Sequence, residues 1–456
     1  MVRGLMIFKD KRCFFSLDNF ELVIEEIDDR DKVTHEDYEF IFKKRNDFPE
    51  NLVGKDFDDH TVVFKVINGS KVGKKTYSAK VQSYIIYKND ESPFDAIQFI
   101  SEELNWFYDT RYAYELYEIP ENGQTQIQTY EYTKTDRQFS FKFDDELING
   151  RLNISRHWVN TTSPLKLFTE LSLYFNQQPD YKKLLELTYG FINVLSFLCY
   201  RRNISMTKAD LKKLDEKTGL YEKVGTLFVS RFSENVEKDY KSAKKRIIDF
   251  SLIDESLGSL FEKIFNKQIY LRHIPESLRD QKITTLPRFI MAMAGFEWQY
   301  LLSNKDKVED IEFKFKKQKK EILDFLNQKI EATTGKEKGY YKGIRKLVDK
   351  DKPLSDRIEV TLIKYNDILS NFIKQLYSHA GQDGKTPKLD EIARRVATYR
   401  NKVAHGDLEE SDYEFLIFDL RVMEWLYYSM VLDEVGVSGE NIKRALNKLF
   451  NLNYPI

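Results

Sequence analysis

Hydrophobic and polar positions alternate with a period near two from the N-terminus to about Asp144. The runs are FELVIEEI, DYEFIFKK, TVVFKVI, VQSYIIYK, AIQFI, IQTYEYT and RQFSFKF, and Asn, Gly, Asp and Pro separate them. Successive side chains on a pleated strand face opposite sides, so these runs predict antiparallel sheet, folded as a sandwich or barrel-like domain. Asn68-Gly69, Asn122-Gly123 and Asn149-Gly150 are the strongest hairpin signals, because Asn and Gly accept the positive φ of a two-residue turn. The strand pattern continues through LKLFTELSLYF, Leu165 to Phe175, and VGTLFVSRF, Val224 to Phe232. Between them, Tyr181 to Tyr200 predicts a helix, and its apolar stretch GFINVLSFLCY is too short to span a bilayer and fits a buried helix.

After Leu286 the period becomes that of a helix. One stripe runs Leu286, Phe289, Ile290, Met293, Phe296 and Tyr300, and a second runs Ile358, Leu362, Tyr365, Leu369, Phe372 and Leu376. Leu389, Ile392, Val396, Tyr399 and Val403 form a third, and Leu416, Leu420, Met423, Tyr427 and Met430 a fourth. Steps of three and four place each set on one helical face. With a short last helix at Ile442 to Leu449 they predict a helical bundle. The chain is therefore expected to be α+β, with a β-rich domain over residues 1–270, carrying a helix near 181–200, and a helical bundle over 271–456.

Composition narrows the function. The 456 residues are 41% hydrophobic, and 33 Phe and 27 Tyr exclude intrinsic disorder for most of them. The 72 Lys plus Arg against 73 Asp plus Glu exclude binding of nucleic acid or anionic membrane through bulk positive charge. Residues 286–456 carry 29 basic and 27 acidic side chains, so the helical half is only about +2. Two cysteines, Cys13 and Cys199, exclude a disulfide scaffold and fit a reducing compartment. The charged start, MVRGLMIFKDKRCFF, builds no signal peptide, so a soluble, cytoplasmic protein with no membrane partner is expected.

Several motifs read as structure. Gly69 to Thr76 resembles a phosphate-binding loop but is one residue short between its glycines and joins two strand runs, which makes it a hairpin turn. Gly436-Val437-Ser438-Gly439 lacks nucleophile-elbow spacing. The lysine-rich stretches Phe313 to Leu326 and Gly335 to Lys346 offer charge and stacking that could track a phosphate backbone, but their interleaved acids favour a solvated helix and loop. The six histidines are scattered, and Asp58-Asp59-His60 is a cluster in sequence only, in a loop before a strand, so no metal and no cofactor is expected.

The remaining string is RNKVAH, Arg400 to His405, at the end of the third stripe. Arg30 with His35 and Arg151 with His157 are decoys of similar spacing in the β-rich half. Only the third match lies on a predicted helix, where Gly406 supplies a stop signal. Five residues of helix separate side chains by about 140° and about 7.5 Å. Either the helix ends and lets His405 turn toward Arg400, or a second subunit completes the site. An imidazole takes and gives protons near neutral pH, and a guanidinium binds phosphate bidentately; together they suit RNA strand cleavage. The competing structural reading is a helix-end arrangement in which Arg400 meets Asp407 or Glu409.

The segment ARRVATYRNKVAHGDLEESDYEFL, Ala393 to Leu416, resembles the HEPN superfamily, and more narrowly the ApeA-like HEPN proteins. It carries the arginine, an adjacent polar Asn401, four intervening residues and the histidine followed by Gly406. LPRFIMAMAGFEWQY, Leu286 to Tyr300, resembles the first helix of that bundle, whose pattern places a glutamate where Glu297 stands. Gly295-Phe296 before it suggests close helix packing. The front half resembles the ApeA N-terminal domain in placement and length, with residue-level support around SEELNWFY, Ser101 to Tyr108.

The resemblance implies a metal-independent endoribonuclease, active as a homodimer or higher homo-oligomer with two RNxxxH motifs facing each other. It further implies bacterial anti-phage defence, by abortive cleavage of host RNA such as tRNA after a phage-derived trigger. Arg400 and His405 are the expected catalytic pair and Asn401 a supporting residue. Because neither half is basic, RNA must be held by a local patch of Arg400, Lys402, Arg394 and Arg395. The alternative is a non-catalytic HEPN-like dimerisation or binding module.

Overall fold

The structure is a computed structural model describing residues 1–27, 48–88, 94–119, 124–158, 165–230, 237–303, 316–348, 353–378, 387–406 and 415–454. The chain forms two compact units, Met1–Lys267 with Glu276–Leu278, and Gln268–Pro275 with Arg279–Ile456. Arg30, His35, DYEFIFKK, Asn122-Gly123, Phe313, His379, Asp407 and Glu409 lie outside the described residues.

In the first unit, β1 (Val2–Phe8), β2 (Lys11–Asp18), β3 (Glu21–Glu26), β4 (Asn51–Asp56), β5 (Thr61–Lys71) and β6 (Thr76–Tyr87) close a six-stranded antiparallel barrel in the order β6-β3-β2-β1-β4-β5-β6. Alternate residues turn inward, and Phe8, Phe15, Leu22, Ile24, Val62 and Phe64 fill the interior. β6 is long enough to serve two neighbours along one edge. Its first half pairs with β3 and its second half with β14 (Leu220–Val229). From β14 an open antiparallel sheet continues through β13 (Lys208–Asp215), β7 (Ala96–Ile100), β12 (Leu165–Tyr174), β11 (Glu146–Trp158) and β10 (Arg137–Phe143). β8 (Tyr114–Ile119) and β9 (Gln124–Thr129) form a separate hairpin, and the end of IQTYEYT is a 3-10 turn at Tyr132–Thr135 instead of strand.

Two expected turns are strand interior. Asn68-Gly69 lies in β5 and Asn149-Gly150 in β11. The reason is ring packing: a Cβ would come within 2.4 Å of the Phe48 ring at Gly69, and within 2.4 Å of the Phe139 ring at Gly150. The hairpin turns fall instead on pairs with two consecutive positive φ, Lys9-Asp10 (52° and 59°), Asn19-Phe20 (46° and 65°) and Asp144-Asp145 (48° and 62°). The segment that mimics a phosphate loop is a hairpin: Val72 and Gly73 both donate their N–H to the Thr76 carbonyl, which leaves no cradle for an anion.

The helices of this unit are α1 (Glu102–Phe107), α2 (Tyr181–Cys199), α3 (Tyr240–Lys245), α4 (Phe250–Ile253) and α5 (Leu257–Phe265). Asp180 caps α2 by accepting from the Lys183 N–H at 2.7 Å, and the apolar run in α2 is buried as expected. Cys199 at its end is a free thiol whose pKa burial pushes up to about 12. α5 seats Phe261 and Phe265 against Phe139, Phe141 and Phe143 of β10. Gly258 permits this approach, since a Cβ there would sit 2.5 Å from the Ser140 backbone oxygen. Gly258→Ala is expected to cost about 1–3 kcal/mol by forcing helix and strand apart. A denaturation midpoint equal to that of the unaltered chain contradicts this packing.

A buried polar network ties α1 to the segment after α2. Arg201 and Glu103, exposed by 1% and 2%, pair at 2.7 Å. Glu103 also accepts from the Ser205 backbone N–H and hydroxyl, and Arg201 donates to the Asn203 carbonyl and side chain.

The second unit contains α6 (Leu286–Ser303), α7 (Lys316–Ala332), α8 (Gly335–Val348), α9 (Leu354–Lys364), α10 (Asn366–Ser378), α11 (Leu389–His405), α12 (Leu416–Glu434) and α13 (Gly439–Leu449). The second stripe is broken at Tyr365, where Asn366 and Asp367 start a new helix, so it spans two helices. α12 is buried all round rather than along one stripe, which makes it the bundle's central helix. The lysine-rich stretches are α7 and α8, two exposed helices packed on each other. Gly295 of α6 marks close packing against the non-helical segment before α6 rather than against another helix, with a Cβ there 3.1 Å from the Tyr270 ring. Ser438 caps α13 by accepting from the Asn441 N–H, which accounts for the Gly436–Gly439 segment structurally.

Candidate active site

α11 is built to hold its last turn in a fixed orientation. At its start the Glu391 side chain accepts from the Lys388 N–H at 3.1 Å, and Asp390 and Glu391 sit where the helix dipole favours acids. Ile392, Ala393, Val396, Ala397 and Tyr399 are buried, and the Tyr399 ring meets Phe289 of α6 edge-on at 5.0 Å. This seat sets the helical phase, so Arg400 emerges at the edge of the buried face, 36% exposed. Gly406 adopts φ 77° and returns its N–H to the carbonyls of Lys402 and Val403, which stops the helix directly after His405.

The structure brings Arg400 to Glu297. The Arg400 Nη2 lies 3.1 Å from the Glu297 Oε1 across the α6–α11 pair, and its Nη1 donates at 3.4 Å to the Asn401 side-chain oxygen. These contacts engage two of the five N–H donors of a guanidinium, so donors remain for a second anion. His405 is exposed on the last turn, and the backbone stays helical through it. Arg400 and His405 therefore diverge by about 140° within one chain, and no hydrogen bond joins them among the described residues.

The other expected contacts separate. Arg394 is exposed and pairs with Asp390 at 2.7 Å. Arg395, grouped with it as an RNA contact in the sequence reading, turns inward: it donates twice to Asp419 of α12, at 2.6 Å each, and once to the Tyr377 hydroxyl. Its guanidinium also lies 4.4 Å from the centre of the Phe415 ring. Burial lowers the Arg395 pKa, but its bonds to Asp419 and Tyr377 outweigh this and raise it. The Tyr377 hydroxyl is pushed up by burial and by Asp419, to which it donates. Arg395 is thus spent on joining three helices. Lys402 is half-buried beside Arg400, and Asn401 is exposed.

The decoy Arg151–His157 is held apart. Both lie on β11, where six residues extend about 20 Å, with Arg151 bound to Asp136 at 2.7 Å and His157 packed on Phe168. Among the described residues one group has metal-ligand chemistry: Asp56, Asp58 and His60, whose ligand atoms lie within 4.8 Å of one another in the β4–β5 loop. The cluster is thus spatial as well as sequential, although Asp59 leaves it to pair with Lys55. Asp56 is occupied as a turn acceptor, taking the N–H of Asp58 and of His60 and meeting the His60 Nδ1 at 3.0 Å.

No helix among the described residues is long and apolar enough to cross a membrane. No curated protein and no solved structure matches the chain. The family whose model does match is Apea-like HEPN, over residues 290–441 from α6 into α13, the family that the Ala393–Leu416 motif resembles and one that points to nuclease or RNA-binding function.

Proposed function

We propose that the helical unit is a metal-independent endoribonuclease that works as a homodimer, with Arg400 and His405 as its catalytic pair. The carrying observation is the geometry at the end of α11: Arg400 is fixed by Glu297, while His405 is presented on a capped last turn directed away from it. A pair that diverges in one chain converges when two such helix ends meet, so Arg400 of one protomer serves with His405 of the other. There His405 removes the 2′-hydroxyl proton or returns one to the leaving 5′-oxygen. Arg400 binds the scissile phosphate and stabilises the charge that develops on it, and Asn401 steadies Arg400. The remaining charge for RNA comes from Lys402 and Arg394. The family resemblance extends this reading to cytoplasmic anti-phage defence through cleavage of host RNA such as tRNA.

Mixing subunits tests the shared site. Arg400→Ala and His405→Ala chains are each expected to be inactive, and co-refolded heterodimers are expected to regain one intact site and about half of the activity per dimer. Heterodimers that remain inactive contradict a site shared across the dimer. The Glu297–Arg400 ion pair favours a second reading, in which Arg400 serves structure and the unit binds RNA without cutting it. That reading predicts unchanged RNA affinity in His405→Ala and no cleavage products from the unaltered protein.

A further inference from the structure

The β-rich unit contains a cleft of about 590 Å³ beside α1 that is separate from the Arg400–His405 chemistry. Ser101, Asn105 and Trp106 form one wall, Lys166 and Phe168 of β12 another, and Lys244 of α3 a third. We propose that this cleft binds a nucleotide, with its phosphate between Lys166 and Lys244 and its base against Phe168 and Ile100.

Charge makes the first argument. Both lysines are exposed, and among the described residues neither has a carboxylate within 4.0 Å. Two ammonium groups lining one cleft offer positive charge to a bound anion, although Lys244 also acts on the Asp109 carboxylate next to the lining. The fixed polar groups are donors as well. Asn105 has its side-chain oxygen committed to the Thr169 N–H at 2.7 Å, which leaves its NH₂ to donate. Ser101 accepts from the Leu104 N–H at 3.1 Å, which leaves its hydroxyl proton. Donors held in place by the backbone suit phosphate oxygens.

Shape and support make the second. The volume lies within the range of about 300–1,000 Å³ found for small-molecule sites, and Ile100, Leu167 and Phe168 supply apolar surface, with Trp106 packed beneath them in the core. Glu102 is the one acid of the lining and suits ribose hydroxyls. Ser205, also in the lining, is held by the buried Glu103–Arg201 pair, so the floor is preorganised.

The same chemistry is offered by a free nucleotide and by the phosphorylated end of an RNA. Titration calorimetry on the full chain distinguishes them with AMP, ATP, adenosine, inorganic phosphate and a 5′-phosphorylated trinucleotide whose 2′-positions are methylated against cleavage. AMP or ATP is expected to bind with Kd below roughly 1 mM, and adenosine about tenfold more weakly for want of the charge-assisted bonds. Lys166→Ala and Lys244→Ala are each expected to weaken binding by about tenfold, with unchanged thermal melts because both side chains are exposed. Tighter binding of the trinucleotide than of AMP, weakened by Lys166→Ala and Lys244→Ala, assigns the cleft to RNA ends rather than to the Arg400 site, and tighter binding of AMP assigns it to a free nucleotide. The proposal is overturned if no phosphorylated probe binds, if adenosine binds as well as AMP, or if both lysine variants bind as the unaltered chain does.

Discussion

His405→Ala lowers RNA cleavage by about 10²–10⁴-fold, the range expected when a general acid–base group is removed. The substitution is a clean one. The imidazole is exposed on the last turn of α11, and the helix is stopped by Gly406 rather than by the histidine, so truncation leaves the packing of Tyr399 and Val396 as it was. The melting midpoint should not move. Arg400→Ala is expected to lose a comparable factor but is less clean, because it also leaves the Glu297 carboxylate without the guanidinium 3.1 Å away. Arg400→Lys separates charge from geometry: it keeps the cation and loses the planar fork, so an intermediate loss is expected. Single-turnover cleavage of a defined RNA measures all three, and a folded His405→Ala chain that cleaves at the original rate removes His405 from the mechanism.

Glu103→Ala is the largest stability change expected in the β-rich unit, about 3–5 kcal/mol, because it removes the carboxylate bonded to the buried Arg201 and leaves only the Glu237 carboxylate to act on that charge. Arg201 keeps its bonds to Asn203, at 2.6 and 2.9 Å, but these are neutral acceptors, and the guanidinium remains 1% exposed. The Ser205 hydroxyl and N–H lose their acceptor in the same step. Replacing both partners by apolar residues, Glu103→Leu with Arg201→Met, is expected to cost less than the single change, since the guanidinium is removed with its partner and the nearby Glu237 carboxylate keeps its bonds from Asn203 and from the Asp239 and Leu278 N–H groups. Urea denaturation of the three variants decides this, and a double variant less stable than Glu103→Ala would place the pair's contribution in its hydrogen bonds rather than in charge compensation.

Periodicity made the broad plan legible because it reports directly which face of an element is buried. Turn positions were less readable. Asn-Gly is a statement about tolerated φ, and at Gly69 and Gly150 the missing Cβ is used for the Phe48 and Phe139 rings instead. The actual turn at Asp144-Asp145 is formed by two residues that only tolerate positive φ. The strand β13 is hard to read in the sequence because KADLKKLD offers few apolar positions, of which Ala209 and Leu211 are buried.

At the candidate site the family pattern of the first helix marks position 297 as a glutamate but assigns it no partner, and its contact with Arg400 is legible only in the structure. The inward turn of Arg395 is legible in part. Position 395 lies three residues after buried Ile392 and four before Tyr399, and Asp419 stands within the most buried helix of the bundle. An acid there announces a buried cation. Long-range ion pairs such as Arg201–Glu103 leave no such trace, since charged residues default to the surface and nothing local pairs positions 98 apart.

The double duty of β6 has a consequence for how the β-rich unit comes apart. Its edge residues Glu25-facing Thr76 through Lys80 close the barrel against β3, and Ser83 through Tyr87 carry β14 and so the whole open sheet. Lifting β6 away therefore unzips the barrel and unmoors the sheet in a single event. Barrel and sheet should behave as one cooperative block, with β6 amides sharing the slowest hydrogen exchange on both sides of the junction.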